Sequence, residues 1–501
     1  MTTTLLRPAD QRSDATPRRH LAVPLAAALA VLVRLPMLGR PPGPDEAGFL
    51  MVGQQWHGAG SSLYGDYWVD RPPLLITIFR VAAELGGVVP LRLIGCLATA
   101  GIVLGSAHVA RRIAGDRAAT WAAIAAAALS VNPLLGTARV DGELLSAPFV
   151  VAGIAAALGG LHASTRRRIA GAAALSGASM MVALLIKQNI ADVGVFAVVA
   201  WLMAWRRGRM SGRQVARLAA GFLGGAVACL AVVTAWTELR GTSPAAVFDA
   251  LYPFRIAAGH VLASSHGSQA PIRFWGLLGA WLVSGMAVVM AATAQGTATR
   301  QLRRTAELAL AATLAFGTVS VLMGGNYWNH YLVELIVPIA ILAGVLVARG
   351  KEWITKAVVV ATAVTVVGWC VALPFGRTSG SAAIGTAVAA ASRPGDSIVT
   401  LYGHAETTRA SGLASPYPYL WSLPIKTLDP NLHVLDSVLR GPQAPTWIVV
   451  AGHLESWGLT TAETSRLVTD EYHPVAHPFG ATVYLHDGVD RPVPHLQGVP
   501  S

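Results

Sequence analysis

A polytopic α-helical membrane protein of about 11 transmembrane helices, closed by a small extracytoplasmic α/β domain, is the fold class that this sequence predicts. Three observations carry it. The 501 residues are 53% hydrophobic and only 13% charged, which no soluble core of that size requires. Apolar runs long enough to cross a bilayer recur from residue 20 to residue 374. The net charge of +12 is gathered into short arginine clusters between those runs, which marks membrane topology rather than a nucleic-acid partner.

In chain order, residues 1–19 form a polar, basic cytoplasmic tail. The run after it lacks a small-residue cleavage site and reads as a retained signal anchor. Spans fall at 20–39, 92–110, 118–136, 147–163, 169–186, 190–205, 217–236, 273–293, 306–323, 331–348 and 357–374. The run 74–89 is short and carries Arg80 and Glu84, so it reads as an amphipathic helix lying in the interface. Positive charge decides this point. With 74–89 kept out of the count, Arg18 and Arg19, Arg111, Arg112 and Arg117, Arg166 to Arg168, Arg206, Arg207, Arg209 and Arg213, Arg300, Arg303 and Arg304, and Arg349, Lys351 and Lys356 all fall on the cytoplasmic side. Counting it as a span would move all but the first cluster outside.

The N-terminus is therefore inside and the C-terminus outside. The first outer loop covers 40–91, within a membrane domain of 20–374. Further outer loops are 137–146, 187–189, 237–272 and 324–330. Residues 375–501 form the α/β domain, with a helix over 381–393, strands over 397–402, 446–451 and 481–486, and a helix over 462–470. Cys96, Cys229 and Cys370 lie within apolar segments and make neither a disulfide framework nor a zinc motif.

Chemistry-bearing residues gather on the outer side. Asp45 and Glu46 follow a Pro-Pro-Gly-Pro turn and open a helix, where the dipole favours acids. A carboxylate there can take a proton from a hydroxyl nucleophile, or it can be a solvated loop acid. Asp141 and Glu143, in ARVDGELLSAP, form a second acidic site or else cap the span that follows. Arg71, Lys187 and Arg255, with Arg34 and Arg139, are outer cations that run against the topology rule. They suit a lipid-linked phosphate, and they also suit pairing with the nearby acids or snorkelling from span ends. His330, beside Asn329 and in the aromatic run GGNYWNHYL, is a further candidate, although an interfacial aromatic belt explains its Tyr and Trp neighbours. His57, His260 and His266 show no metal-ligand spacing, so no metal or cofactor is expected. No phosphate-binding glycine motif is present, which argues against a soluble nucleotide donor.

The order of these segments resembles the GT-C superfamily of integral membrane glycosyltransferases: PDEAGFL after the first span, an aromatic loop, DRPPLL, then ARVDGELLSAP, IKQN and HYL followed by proline. The branch it is most similar to holds the polyprenyl-phosphate-mannose–protein mannosyltransferases and the lipid A aminoarabinose transferases. The likeness is strongest over residues 20–210. It implies transfer of a sugar from a polyprenyl-phosphate donor to a glycan, lipid or protein acceptor, with inversion, on the outer face of a bacterial plasma membrane. It also implies roles: Asp45 as base with Glu46 beside it, Asp141 as the second-loop acid, and Lys187 toward the phosphate. Arg71 stands where such enzymes have Lys or His before PPLL, and could contact donor phosphate or acceptor. A transporter or flippase of a lipid-linked or small polar substrate is the rival reading. It calls for inverted repeats and for broken helices with polar residues near the midplane.

Overall fold

A computed structural model describes residues 18–56, 62–264, 269–373, 379–455, 459 and 461–495. His57, His266 and nearly all of the N-terminal tail lie outside the described residues. The first helix, α1 (Arg18–Arg34), gives way at Pro36 to a single 3-10 turn. A proline at the first helical position then opens α2 (Pro44–Gln55), and Glu46 reaches back to accept from the Gly43 N–H at 3.2 Å. Prolines likewise open α3 (Pro73–Glu84), whose 12 residues are too few to cross a bilayer. One face of α3 buries Leu75, Ile76, Phe79 and Ala82, while Val81 stays exposed, as expected of an interfacial helix.

The next helix, α4 (Val88–Ser130), carries two of the expected spans. It folds back at Ala114 and Gly115, where a φ of +83° suits only glycine well. Then come α5 (Gly142–His162), capped by the Asp141 carboxylate, α6 (Arg166–Ile186), capped by Thr165, α7 (Asp192–Arg206) and α8 (Gly212–Leu239), which starts in a Ser211/Gln214 capping box. Two short helices, α9 (Pro244–Leu251) and α10 (Pro253–Ser264), form the following loop. They are followed by α11 (Ala270–Val283), α12 (Met286–Ala298), α13 (Thr305–Met323), α14 (Ile336–Ala348) and α15 (Glu352–Ala372). The centre of the bundle is α14, whose span is 89% buried and packs mainly against α4.

Helix covers most of the described part of each expected span, although not every one reaches full bilayer length as a single helix. Seven helices among the described residues are long and apolar enough to cross a membrane, α4 being counted once, and an eighth forms if α11 and α12 act together. The segment 273–293 is not continuous: those two helices meet at 71° around Ser284–Gly285. The apolar stretch Leu21–Met37 and α7, at 15 residues, fall short of a full span.

Hydrogen bonds tie the arginine clusters into one layer. Arg207 donates to the Arg303 carbonyl at 2.6 Å, Arg304 donates to the Ile113 carbonyl at 2.6 Å, and Arg349 pairs with Glu307. These contacts bring the basic turns around Ile113, Arg207, Arg303 and Arg349 together at one end of the bundle.

The other end carries the C-terminal domain. It holds α16 (Gly380–Ala391), β1 (Ile398–Leu401), α17 (Ala405–Ser411), α18 (Ser422–Leu428), α19 (His433–Arg440), β2 (Trp447–Ala451), α20 (Ala462–Glu471), β3 (Tyr472–Ala476) and β4 (Ala481–His486). The sheet order is β1-β2-β4-β3, with β1 parallel to β2 and the other pairs antiparallel. The three expected strands are present; the edge strand β3 is additional. The domain seats itself on the first loop. Trp68 N donates to the Pro418 carbonyl at 3.0 Å, Ser415 N donates to the Tyr67 hydroxyl at 3.0 Å, and Ala47 and Met51 of α2 pack against Ala405 and Leu420.

One buried ion pair locks the domain end. Glu46, 1% exposed, pairs with Arg92 at 2.9 Å and also accepts from Val140 N at 3.0 Å. Replacing Glu46 with alanine leaves the Arg92 charge buried and unpaired, and should cost about 3–5 kcal/mol. Adding Arg92→Met should recover much of that loss. Unfolding of the purified variants in detergent measures both, and a silent Glu46→Ala would contradict the buried pair.

Candidate functional site

Glu46 and Asp45 are neighbours in sequence with different surroundings. Successive residues on a helix point about 100° apart, so the turn that aims Glu46 at Arg92 aims Asp45 elsewhere. Asp45 Oδ1 accepts a 2.9 Å hydrogen bond from the indole N–H of Trp421, and Oδ2 has no partner among the described residues. Glu46, in contrast, has both oxygens engaged by Arg92, Gly43 and Val140. Glu46, expected as a catalytic partner of Asp45, is placed by the structure in a buried ion pair that braces the loop.

A cationic arc stands near Asp45. Asp70 joins two of the expected cations, with Oδ1 at 2.5 Å from Arg71 and Oδ2 at 2.6 Å from Arg255. Burial opposes the charge on Arg71. Asp70 and Asp45, with Tyr331 and Glu143 beyond, outweigh burial and hold the guanidinium above its ordinary pKa. Arg71 also lies 5.3 Å over the Phe49 ring. Arg71 and Arg255 thus both make the acid pairing that the sequence reading left open beside a phosphate role. Arg34 is not part of the arc. It is buried and donates to the Thr137 and Ser130 carbonyls, holding the second loop in shape.

The third cation, Lys187, meets Glu143 at 2.9 Å and sits 5.5 Å over the Tyr331 ring. Glu143 Oε2 has no partner among the described residues. Asp141 spends Oδ1 on capping α5 through Leu144 N at 2.9 Å. Burial first, and then the Glu143 charge, push its carboxyl well above the ordinary range against the pull of that cap. His330 completes the group: the charges of Glu143, Lys187, Asp45 and Arg71 all act on its ring. The fold thus brings Asp45, Arg71, Arg255, Lys187, Asp141 and His330 to one end of the bundle.

Ligand atoms of Asp141, Glu143 and His330 lie within 4.8 Å of one another, a donor set able to hold a divalent cation. Sequence spacing could not reveal it, because His330 comes from a different hairpin. The competing occupant is already present, since Lys187 places an ammonium on Glu143. Glu143 was expected beside Asp141 in the second acidic site, whereas Asp70, Tyr331 and Trp421 are additions that sequence spacing did not single out.

No protein-family model matches the sequence, and no curated protein matches it. Solved structures do match. The crystal structure of ArnT from Cupriavidus metallidurans bound to undecaprenyl phosphate superposes with a TM-score of 0.64 at 17% identity, covering 94% of this chain and 98% of that one. The Archaeoglobus fulgidus oligosaccharyltransferase complexed with Zn and sulfate gives 0.56 at 13% identity, covering 93% and 73%. The archaeal oligosaccharyltransferase AglB from the same organism, with an inhibitory peptide and a dolichol-phosphate, gives 0.53 at 13% identity, covering 96% and 75%. At these identities the likeness is one of architecture. The chain has the GT-C fold of a multi-pass membrane protein, as the segment order implied.

Asparagine caps a helix about as well as aspartate, so Asp141→Asn should leave folding nearly unchanged. Glu143→Gln, by contrast, leaves Lys187 without its carboxylate. It should lower the unfolding midpoint in detergent distinctly more, and equal midpoints would contradict the pairing.

Proposed function

We propose that this protein transfers a sugar from a polyprenyl-phosphate donor to an acceptor hydroxyl, with inversion, on the extracytoplasmic face of a bacterial plasma membrane. The observation that carries the reading is one juxtaposition: a carboxylate with an open oxygen, Asp45, near three paired cations at the end of the bundle away from the arginine layer. The fold supports it, and so do the ligands of its structural neighbours. ArnT is bound to undecaprenyl phosphate and AglB to a dolichol-phosphate. The gathering of the basic turns around Ile113, Arg207, Arg303 and Arg349 at the opposite end supports an extracytoplasmic site by the positive-inside rule.

The step then reads as follows. The acceptor oxygen forms its bond to the anomeric carbon as the bond from that carbon to the phosphate oxygen breaks. The electron pair leaves on the polyprenyl phosphate, and the hydroxyl proton passes to Asp45 Oδ2. Lys187, Arg71 and Arg255 stabilise the leaving phosphate, the electrostatic part of the work. Lys187 already neutralises Glu143, so we read the transfer as needing no resident metal. The acceptor class, whether glycan, lipid or protein, is left to assay.

The transporter reading finds its broken helix at α11–α12. That break, however, is surrounded by Ala125, Leu129, Met286, Val289, Ile339 and Val358, an apolar setting unsuited to a polar substrate.

Purified protein and radiolabelled polyprenyl-phosphate sugar provide the test. Asp45→Asn should insert and fold but lose transfer by at least about a hundredfold, the scale of general-base catalysis. Near-normal transfer would remove Asp45 from its role. Lys187→Ala should raise the donor KM. Protein treated with EDTA should keep its activity; a loss restored by a divalent cation would assign Asp141, Glu143 and His330 to a metal instead.

A further inference from the structure

Among the described residues, the one hydrogen bond to the Asp45 side chain comes from the C-terminal domain. Trp421 lies just before α18, and its indole N–H donates to Asp45 Oδ1 at 2.9 Å. The ring is held from two sides. It packs on Phe49, one turn along α2, with centroids 5.2 Å apart, and it lies over the bare α-carbon of Gly48. A Cβ added at Gly48 would stand 2.3 Å from Trp421 Cζ2, so only glycine admits the indole there. Phe49 in turn carries the Arg71 guanidinium at 5.3 Å, which links the indole to the cationic arc. The segment 415–421 is fixed independently by the Ser415–Tyr67 and Pro418–Trp68 hydrogen bonds, so Trp421 arrives on an anchored strip of chain.

We propose that Trp421 is a positioning residue for Asp45, and that the C-terminal domain thereby completes the transfer site. The inference rests on the transfer reading above. The indole is an N–H donor with no acceptor, so it fixes one carboxylate oxygen without competing for the proton. Oδ1 is occupied and Oδ2 is left as the only base. A carboxylate free to rotate would present either oxygen and spend less time aligned with the acceptor hydroxyl.

The experiment uses the full-length purified protein and the radiolabelled polyprenyl-phosphate sugar. Trp421→Phe keeps a ring on Phe49 and removes the donor. Its kcat should fall about tenfold, the scale of one hydrogen bond to a charged group, with the donor KM unchanged. Gly48→Ala displaces the indole from the opposite side and should reproduce that loss. Because both act on one contact, the double variant should be no worse than either single one. Arg409→Ala cuts the Gln54 contact at the same docking surface, away from the 415–421 strip, and should keep kcat close to that of the parent protein. An unchanged kcat in Trp421→Phe, additive losses in the double variant, or an equal loss in Arg409→Ala would each overturn the proposal. Wild-type protein that transfers while Trp421→Phe is indifferent removes Trp421 alone; wild-type protein that transfers no sugar removes both readings.

Discussion

The arrangement at the domain end depends on the burial of the Glu46–Arg92 pair. A carboxylate and a guanidinium removed from water hold together only when their remaining donors and acceptors are also satisfied. Here they are. Arg92 additionally donates to the carbonyls of Met37, Arg40 and Pro41, and Glu46 accepts from Gly43 and Val140. One pair thus gathers the turn after α1, the start of α2, the body of α4 and the loop before α5. Without it, the two outer loops have no common reference. With it, α2 has a fixed rotation, and the residue before Glu46 faces the cluster. The orientation of Asp45 follows from a neighbour that does no chemistry.

Much of this was legible in sequence because the physics is local. Apolar runs announce helices, short alternating or continuous apolar stretches announce β1, β2 and β4, and arginine clusters announce one end of the bundle. What escaped is non-local or depends on single residues. Asp45 and Glu46 are indistinguishable as letters, and only the position of Arg92, 46 residues on from Glu46, separates the carboxylate with an open oxygen from the one held in a buried ion pair. The bridge that Asp70 makes between Arg71 and Arg255 is hidden in the sequence, because Arg255 belongs to a distant helix. The bend in 273–293 had a signal, Ser284–Gly285 in an otherwise greasy run, but such pairs also sit inside straight helices. Strand β3 was hidden by Pro474 and by following α20 without a break. As the edge of the sheet it tolerates a proline that a central strand would reject.

The C-terminal domain changes meaning in the same way. Its composition suggests only a small soluble unit, and its contacts make it part of the membrane domain's working end. The parts of the first loop that touch it are the parts that matter to the cluster: α2 through Ala47, Gly48 and Met51, and the aromatic strip through Tyr67 and Trp68. A loop rich in aromatic and polar residues beside a membrane surface needs a second wall to hold one shape, and the segment 415–421 supplies it.

Charge balance joins these observations under the transfer reading. Lys187, Arg71 and Arg255 are each paired, with Glu143 and Asp70, while Asp45 has only the neutral indole. Each of these cations already has a carboxylate partner when the site is empty, so they are not costly to hold in place. A phosphate that enters must draw on the same cations as Glu143 and Asp70, and it does so most strongly when charge builds on the leaving oxygen. Carboxylates that hold the cations in readiness, and yield part of that hold as the bond breaks, favour the transition state over the bound donor. The unpaired oxygen of Asp45 fits the same logic: its one partner is a neutral donor, so it surrenders no cation in accepting a proton.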